Sequence, residues 1–260
     1  MVSLITLIFF ILGLIIGSFL NVVIYRYHTA KSLGGRSACM SCRSKLKFYE
    51  LIPVISYLFL LGRCRTCRTK ISIQYPLVEL SAGLIFAIVF WKFQAIFAFD
   101  ILLFVATFLY YVAGFLLLLV IATYDMRHKI IPDGLALAFG ILGIVGLFLL
   151  NGFAYTHIPS ATEFLSGPLV ALPFASLWFI SRGAWMGFGD AKLALGLGWF
   201  LGLSQAISGI VVAFWAGALI GIMLMFMKPK FGMKSEVPFA PFLALGAFVA
   251  FIFELHLFPL

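Results

Sequence analysis

Eight long apolar runs divide the chain, at residues 2–25, 76–92, 98–122, 134–151, 164–181, 190–205, 206–227 and 238–258, with polar or basic breaks between most of them. None alternates apolar and polar residues with the period of a half-buried strand. About 20 helical residues cross the ~30 Å hydrocarbon core of a bilayer. The pattern predicts an all-α fold, a polytopic transmembrane helix bundle of about eight spans. Barrel strands, about ten alternating residues each, do not fit runs of this length. The sixth and seventh runs abut near Gln205. The first run lacks a basic leader and ends in Gly17-Ser18-Phe19-Leu20-Asn21 and a basic loop. It therefore reads as a retained span and not as a cleaved signal peptide.

Three regions follow from the pattern: the first span (1–26), a polar insert (27–75) and a membrane-embedded core (76–260). No internal repeat or low-complexity tract is read. The loop at 151–163, with Asn151, Gly152, Pro159 and Ser160, reads as a turn. Composition fits the same picture, with 64% apolar and 10% charged residues, outside the range of soluble domains.

The net charge of +9 is not a nucleic-acid footprint, because of how it is distributed. With the loops assigned alternately to the two sides, seventeen of the eighteen Lys and Arg fall on one side and only Lys92 on the other. The positive-inside rule makes that side cytoplasmic and puts both termini outside. The insert and the aspartates Asp125, Asp133 and Asp190 then share the cytoplasmic face.

All four cysteines lie in the insert, as Cys39-Met-Ser-Cys42 and Cys64-Arg-Thr-Cys67. Two C-x2-C turns present four thiolates to one tetrahedral ion, the donor set of structural zinc. A cytoplasmic location disfavours disulfides, and Arg43, Arg63, Arg65 and Arg68 favour thiolates. The competing reading is an unmetallated or redox-active insert. A closed four-sulfur site serves folding and not chemistry, and a domain this short needs such a staple.

Ionisable groups are costly at membrane depth and mark function there. Asp125, in Tyr124-Asp125-Met126-Arg127, and Asp190, in Gly187-Phe188-Gly189-Asp190, stand at the ends of apolar runs. Two carboxylates sharing one proton can activate water while polarising a carbonyl. Asp125 and Asp190 are the candidate catalytic pair, and they can meet only through tertiary packing. Asp133, eight residues on with Pro132 between, would lie about 12 Å from Asp125 even along a helix, too far for a pair, and reads as a helix N-cap after Pro132. The plain alternative for Asp190 is also an N-cap. Gly187 and Gly189 allow close backbone approach.

Several further residues have bland readings. His128 is an interfacial histidine, or a group that tunes Asp125 or binds phospholipid head groups. Lys192 is a snorkelling cation, and Arg127 and Lys129 set topology. Glu50, Glu79 and Glu236 read as helix-end or salt-bridge residues ahead of leader contacts. Asn21 is either a cap or a bond across helices.

Read together, these residues resemble the type IV prepilin peptidases, bacterial membrane aspartyl proteases with a G-x-G-D motif. The resemblance is carried by Gly17-Ser18-Phe19-Leu20-Asn21 through Arg26, and by Glu50-Leu-Ile-Pro53 through Gly62-Arg-Cys64-Arg-Thr-Cys67 to Tyr75-Pro76 and Glu79. Asp125 to Asp133, Gly187 to Lys192 and Val237-Pro238-Phe239-Ala240-Pro241 complete it. The family commonly has Gly at the position of Ala240. The resemblance implies a multi-pass enzyme of the bacterial inner membrane that cuts the basic leader of prepilins or pseudopilins after a glycine. It also implies N-methylation of the new N-terminus with S-adenosylmethionine. By motif, Asp125 and Asp190 are catalytic, Cys39, Cys42, Cys64 and Cys67 hold zinc, and Gly62 belongs to the methylation function. Two other classes remain on residues alone: a proton-coupled transporter and a non-enzymatic assembly factor docking through its zinc insert.

Overall fold

The computed structural model describes residues 2–29, 34–149, 158–227 and 237–257. Among them are eight long helices, no strand longer than an isolated bridge, and two short helical pieces. The long helices are α1 (Val2–Arg26), α3 (Gln74–Phe99), α4 (Ile101–His128), α5 (Asp133–Leu149), α6 (Ala161–Ser181), α7 (Phe188–Leu201), α8 (Leu203–Met227) and α9 (Ala240–Ile252). The short ones are a 3-10 turn at Phe48–Leu51 and α2 at Ile55–Phe59.

The fold is all-helical as expected, but the span count is not settled at eight. Five helices, α1, α3, α4, α6 and α8, are long and apolar enough to cross a membrane. The other three run for 17, 14 and 13 residues. At 1.5 Å per residue they reach only about 20–26 Å, short of a full hydrocarbon core. The break between the sixth and seventh runs lies at Gly202, not near Gln205. Gly202 takes φ +78, a left-handed conformation that ends α7 and lets α8 begin one residue later. Of the loop read as a turn at 151–163, residues 151–157 lie outside the described residues. Ser160 caps α6 by accepting from the Glu163 N–H, while Glu163 Oε2 accepts from the Ser160 N–H at 2.7 Å.

The chain forms two compact units, Met1–Lys92 and Phe93–Leu260. The division falls inside α3, later than the boundary at 76 drawn from hydropathy. The reason lies in α1, where Gly13 and Gly17 form a G-x-x-x-G face. A Cβ on Gly13 would lie 2.6 Å from the Ala82 carbonyl oxygen, and one on Gly17 2.7 Å from Glu79 Cα. Small residues at this spacing let two helix backbones touch, so α3 belongs with α1 as far as Lys92. Asn21 bonds across helices: its Nδ2 donates to the Tyr75 carbonyl at 3.1 Å. Tyr25 and Tyr75 stack at 5.0 Å at the same end, an aromatic pair of the kind that marks a membrane–water boundary.

In the second unit, α7 packs mainly on α5 and α6, and α9 on α8 and α4. Phe200 of α7 is central and meets Phe115, Tyr110, Tyr111 and Phe139 at 5.3–5.6 Å. Small residues bring the backbones together around it. Ser166 Oγ donates to the Gly198 carbonyl at 2.9 Å, and a Cβ on Gly246 would collide with the Gly209 carbonyl oxygen. Gly246→Val would push α9 off α8. It is expected to cost at least about 1–3 kcal/mol and to lower the thermal midpoint in detergent, read by circular dichroism.

Candidate active site and metal centre

Three helix ends converge in the second unit. Asp125 stands in the last turn of α4, 5% exposed, and Asp190 in the first turn of α7, 9% exposed. They lie close enough for the charge of Asp125 to act directly on the Asp190 carboxyl. The third end is the start of α9, where the Ala240 N–H donates to Asp125 Oδ2 at 3.2 Å. A helix N-terminus carries unpaired N–H groups and a partial positive charge, so α9 fixes one oxygen of Asp125.

Asp190 is not an N-cap. Gly187 holds that position, and Asp190, three residues on, accepts from the Gly187 N–H. This is half of a capping box, and it orients the carboxyl without using up both oxygens. Gly189 has a separate reason to be glycine: a Cβ there would lie 2.8 Å from Ile131 Cβ. The connection from α4 to α5 therefore lies directly against the first turn of α7. Asp133 and Lys192 meet across the same contact, with Nζ donating to Oδ1 at 2.7 Å. Asp133 accordingly starts α5 as an ion-pair partner and not as a cap, and Lys192 is its partner and not a free snorkelling cation. Both side chains are well exposed, and such a pair contributes about 1 kcal/mol or less. His128 is exposed and lies against Tyr124, ring centroids 4.4 Å apart.

In the insert the four sulfurs of Cys39, Cys42, Cys64 and Cys67 lie within 4.8 Å of one another. The Cys39–Cys67 separation is 3.8 Å. A tetrahedral zinc with Zn–S bonds of about 2.3 Å requires sulfurs about 3.8 Å apart, so the four residues fit the ion. The four cysteines form no disulfide.

The two C-x2-C turns are copies of one unit, which corrects the reading that the chain has no internal repeat. Ala38 bridges Lys45, and Arg63 bridges Lys70. The Cys39 N–H donates to the Ser44 carbonyl at 3.0 Å, and the Cys64 N–H to the Thr69 carbonyl at 2.8 Å. Arg43 and Arg68 both take left-handed φ, +56 and +59. Ser44 Oγ lies 3.0 Å from Cys42 Sγ, and Thr69 Oγ1 lies 3.2 Å from Cys67 Sγ. The Thr69 hydroxyl helps pull the Cys67 thiol down to about 6, and Ser44 lowers Cys42 in the same way. Both shifts favour the thiolate that a metal needs. The signal was in the sequence, as C-x-x-C-R-[S/T]-K written twice, 25 residues apart.

Gly62 precedes the second turn with φ +65, and a Cβ there would lie 2.9 Å from the Tyr57 hydroxyl. Its glycine is thus required by backbone and packing. Glu50 accepts from the Lys47 N–H at 2.7 Å and stabilises the 3-10 turn. Glu79 is buried in α3 and accepts from the Val54 N–H at 2.8 Å, so it is neither a helix-end nor a salt-bridge residue. Glu236 lies outside the described residues.

The fold and its sites define a multi-pass membrane protein with two buried, interacting carboxylates and a four-cysteine centre. Two family models match it: the bacterial peptidase A24 N-terminal domain over residues 11–93, and the type IV leader peptidase family over residues 112–222. A protein of Stutzerimonas stutzeri named prepilin leader peptidase/N-methyltransferase is 31% identical, over 93% of this chain and 88% of its own length. Proteins of the same name from Neisseria gonorrhoeae and Pseudomonas aeruginosa are each 30% identical with the same coverage. No solved structure matches the chain. The chain belongs to the type IV leader peptidase family.

Proposed function

We propose that this protein removes the leader of prepilin-like substrates with Asp125 and Asp190 as its catalytic pair, and then N-methylates the new terminus. The observation that carries the reading is the convergence of two buried carboxylates from α4 and α7 at one end of the second unit, near enough for each to feel the other's charge. Close like charges resist joint ionisation, so such a pair holds a proton between its members. One carboxyl takes a proton from the attacking water. The other, protonated, donates to the scissile carbonyl and steadies the developing oxyanion, and the nitrogen leaves after receiving a proton. Ala240 and Gly187 hold one carboxyl each, so the two enter the reaction with fixed orientation.

The protein sits in this reading in the bacterial cytoplasmic membrane, with the insert inside and both termini outside. Zinc held by Cys39, Cys42, Cys64 and Cys67 would order the insert. S-adenosylmethionine would supply the methyl group. The chain has no glycine-rich nucleotide loop, and no residue is assigned to hold this donor.

The reading is tested through the close contact behind Asp190. Gly189→Ala is expected to lower leader cleavage by roughly 10- to 100-fold, because an ångström of misplacement is felt at that level. Adding Ile131→Gly removes the obstructing Cβ and is expected to restore most of the rate. Cleavage of a purified prepilin is followed by mass spectrometry. A Gly189→Ala variant at full activity, or no rescue by the second change, counts against the placement of Asp190 in the catalytic pair.

A further inference from the structure

The insert exposes large apolar side chains that the zinc centre and the carboxylate pair do not use. Phe48 is 82% exposed, Leu58 63%, Phe59 84% and Leu61 85%. They stand on the 3-10 turn, on α2 and just beyond it. Solvated apolar clusters of this kind mark a binding face.

Local structure holds these side chains outward. Val54 precedes α2 with φ +62, and Leu61 follows it with φ +51. Left-handed φ is unfavourable for any side chain and most so for a β-branched one, so the segment is presented at a cost. Its depth is also fixed. The Val54 N–H is held by Glu79, one turn of α3 beyond Tyr75, and Tyr75 with Tyr25 forms the boundary-marking aromatic stack. α2 therefore starts at headgroup level and not out in bulk water.

The charge matches that location. Arg63, Arg65, Arg68 and Lys70 follow the apolar residues directly, and Lys45 and Lys47 precede them. A groove of about 430 Å³ beside α2 has apolar walls from Ile52, Ile55, Phe59 and Leu60, with Arg65, Arg68 and one acidic residue, Glu50, also lining it. Apolar side chains beside clustered cations are the signature of a segment lying in the plane of an anionic bilayer surface.

We propose that residues 48–61 form an interfacial arm. Leu58, Phe59 and Leu61 enter the acyl boundary, and Arg63, Arg65 and Arg68 face anionic lipid phosphates. The arm holds the four-cysteine centre against the membrane surface. This inference does not depend on the peptidase reading.

The test uses the full chain in nanodiscs, either of phosphatidylglycerol mixed with phosphatidylcholine or of phosphatidylcholine alone. A photoreactive residue is placed by Phe59→p-benzoylphenylalanine or Leu61→p-benzoylphenylalanine, with Ser41→p-benzoylphenylalanine as an exposed control on the first cysteine turn. Lipid adducts are counted by mass spectrometry. Adducts at 59 and 61 are expected to exceed those at 41 at least fivefold, and to rise at least twofold when phosphatidylglycerol is present. Yields at 59 and 61 no greater than at 41 would overturn the arm's placement. Equal yields in the two nanodiscs would overturn the anionic partner, and crosslinks to a second copy of the chain in place of lipid would overturn the bilayer as occupant.

Discussion

Asp125→Asn and Asp190→Asn are each expected to lower leader cleavage by on the order of 10³-fold or more, while the protein stays folded and inserted. General acid–base groups contribute about 10²–10⁴-fold each, and a shared-proton pair fails as a unit when either member is lost. Asparagine keeps the shape of the side chain. In Asp125→Asn the carbonyl oxygen can still accept the Ala240 N–H that Oδ2 accepts at 3.2 Å. In Asp190→Asn the oxygen can still accept from Gly187. The helix ends thus keep their partners, and what is lost is the proton chemistry. Helicity by circular dichroism and elution by size exclusion should match the parent. A variant that cleaves within tenfold of the parent would remove that aspartate from the mechanism.

Removing the metal should act on the other unit. Cys64→Ser, or stripping the metal with a strong chelator, is expected to reduce zinc from one ion per chain to none, read by elemental mass spectrometry. The described part of the insert has one 3-10 turn, one five-residue helix and two isolated bridges. It has little apolar core of its own, because its largest apolar residues point outward. Structural zinc contributes about 10–16 kcal/mol in small domains, far more than these local bonds supply. The insert should become a trypsin substrate at Arg63, Arg65 and Arg68, and the long helices should stay intact. With the insert serving methylation and the carboxylate pair serving cleavage, methylation is expected to fall much more than cleavage. Zinc retained in full by Cys64→Ser would contradict the four-sulfur site, and equal loss of both activities would contradict the division.

Much of this was legible in the chain because hydropathy and cysteine spacing are local signals. The helical class, the four-cysteine group and the two boundary aspartates are all written in stretches of a few residues. What was not legible depended on long-range packing or on the backbone. The Lys192–Asp133 pair joins positions 59 apart and has no sequence signature. Ala240 contributes only its N–H, although Pro238 and Pro241 beside it signal a helix start. The lengths of α7 and α9 were overestimated because apolar runs continue through turns, as at Gly202, where a positive-φ glycine and no polar break ends the helix. The doubled C-x-x-C-R-[S/T]-K is legible in the residues that follow each second cysteine, not in the cysteine spacing alone.

The most direct test is the double-mutant cycle on the pair, with single-turnover cleavage measured for Asp125→Asn, Asp190→Asn and the two combined. If one proton-sharing unit does the chemistry, the double variant is no slower than either single one, because the first substitution already disables the pair. Losses that multiply, each aspartate adding its own factor to the other's, would show two independent groups and contradict the shared site.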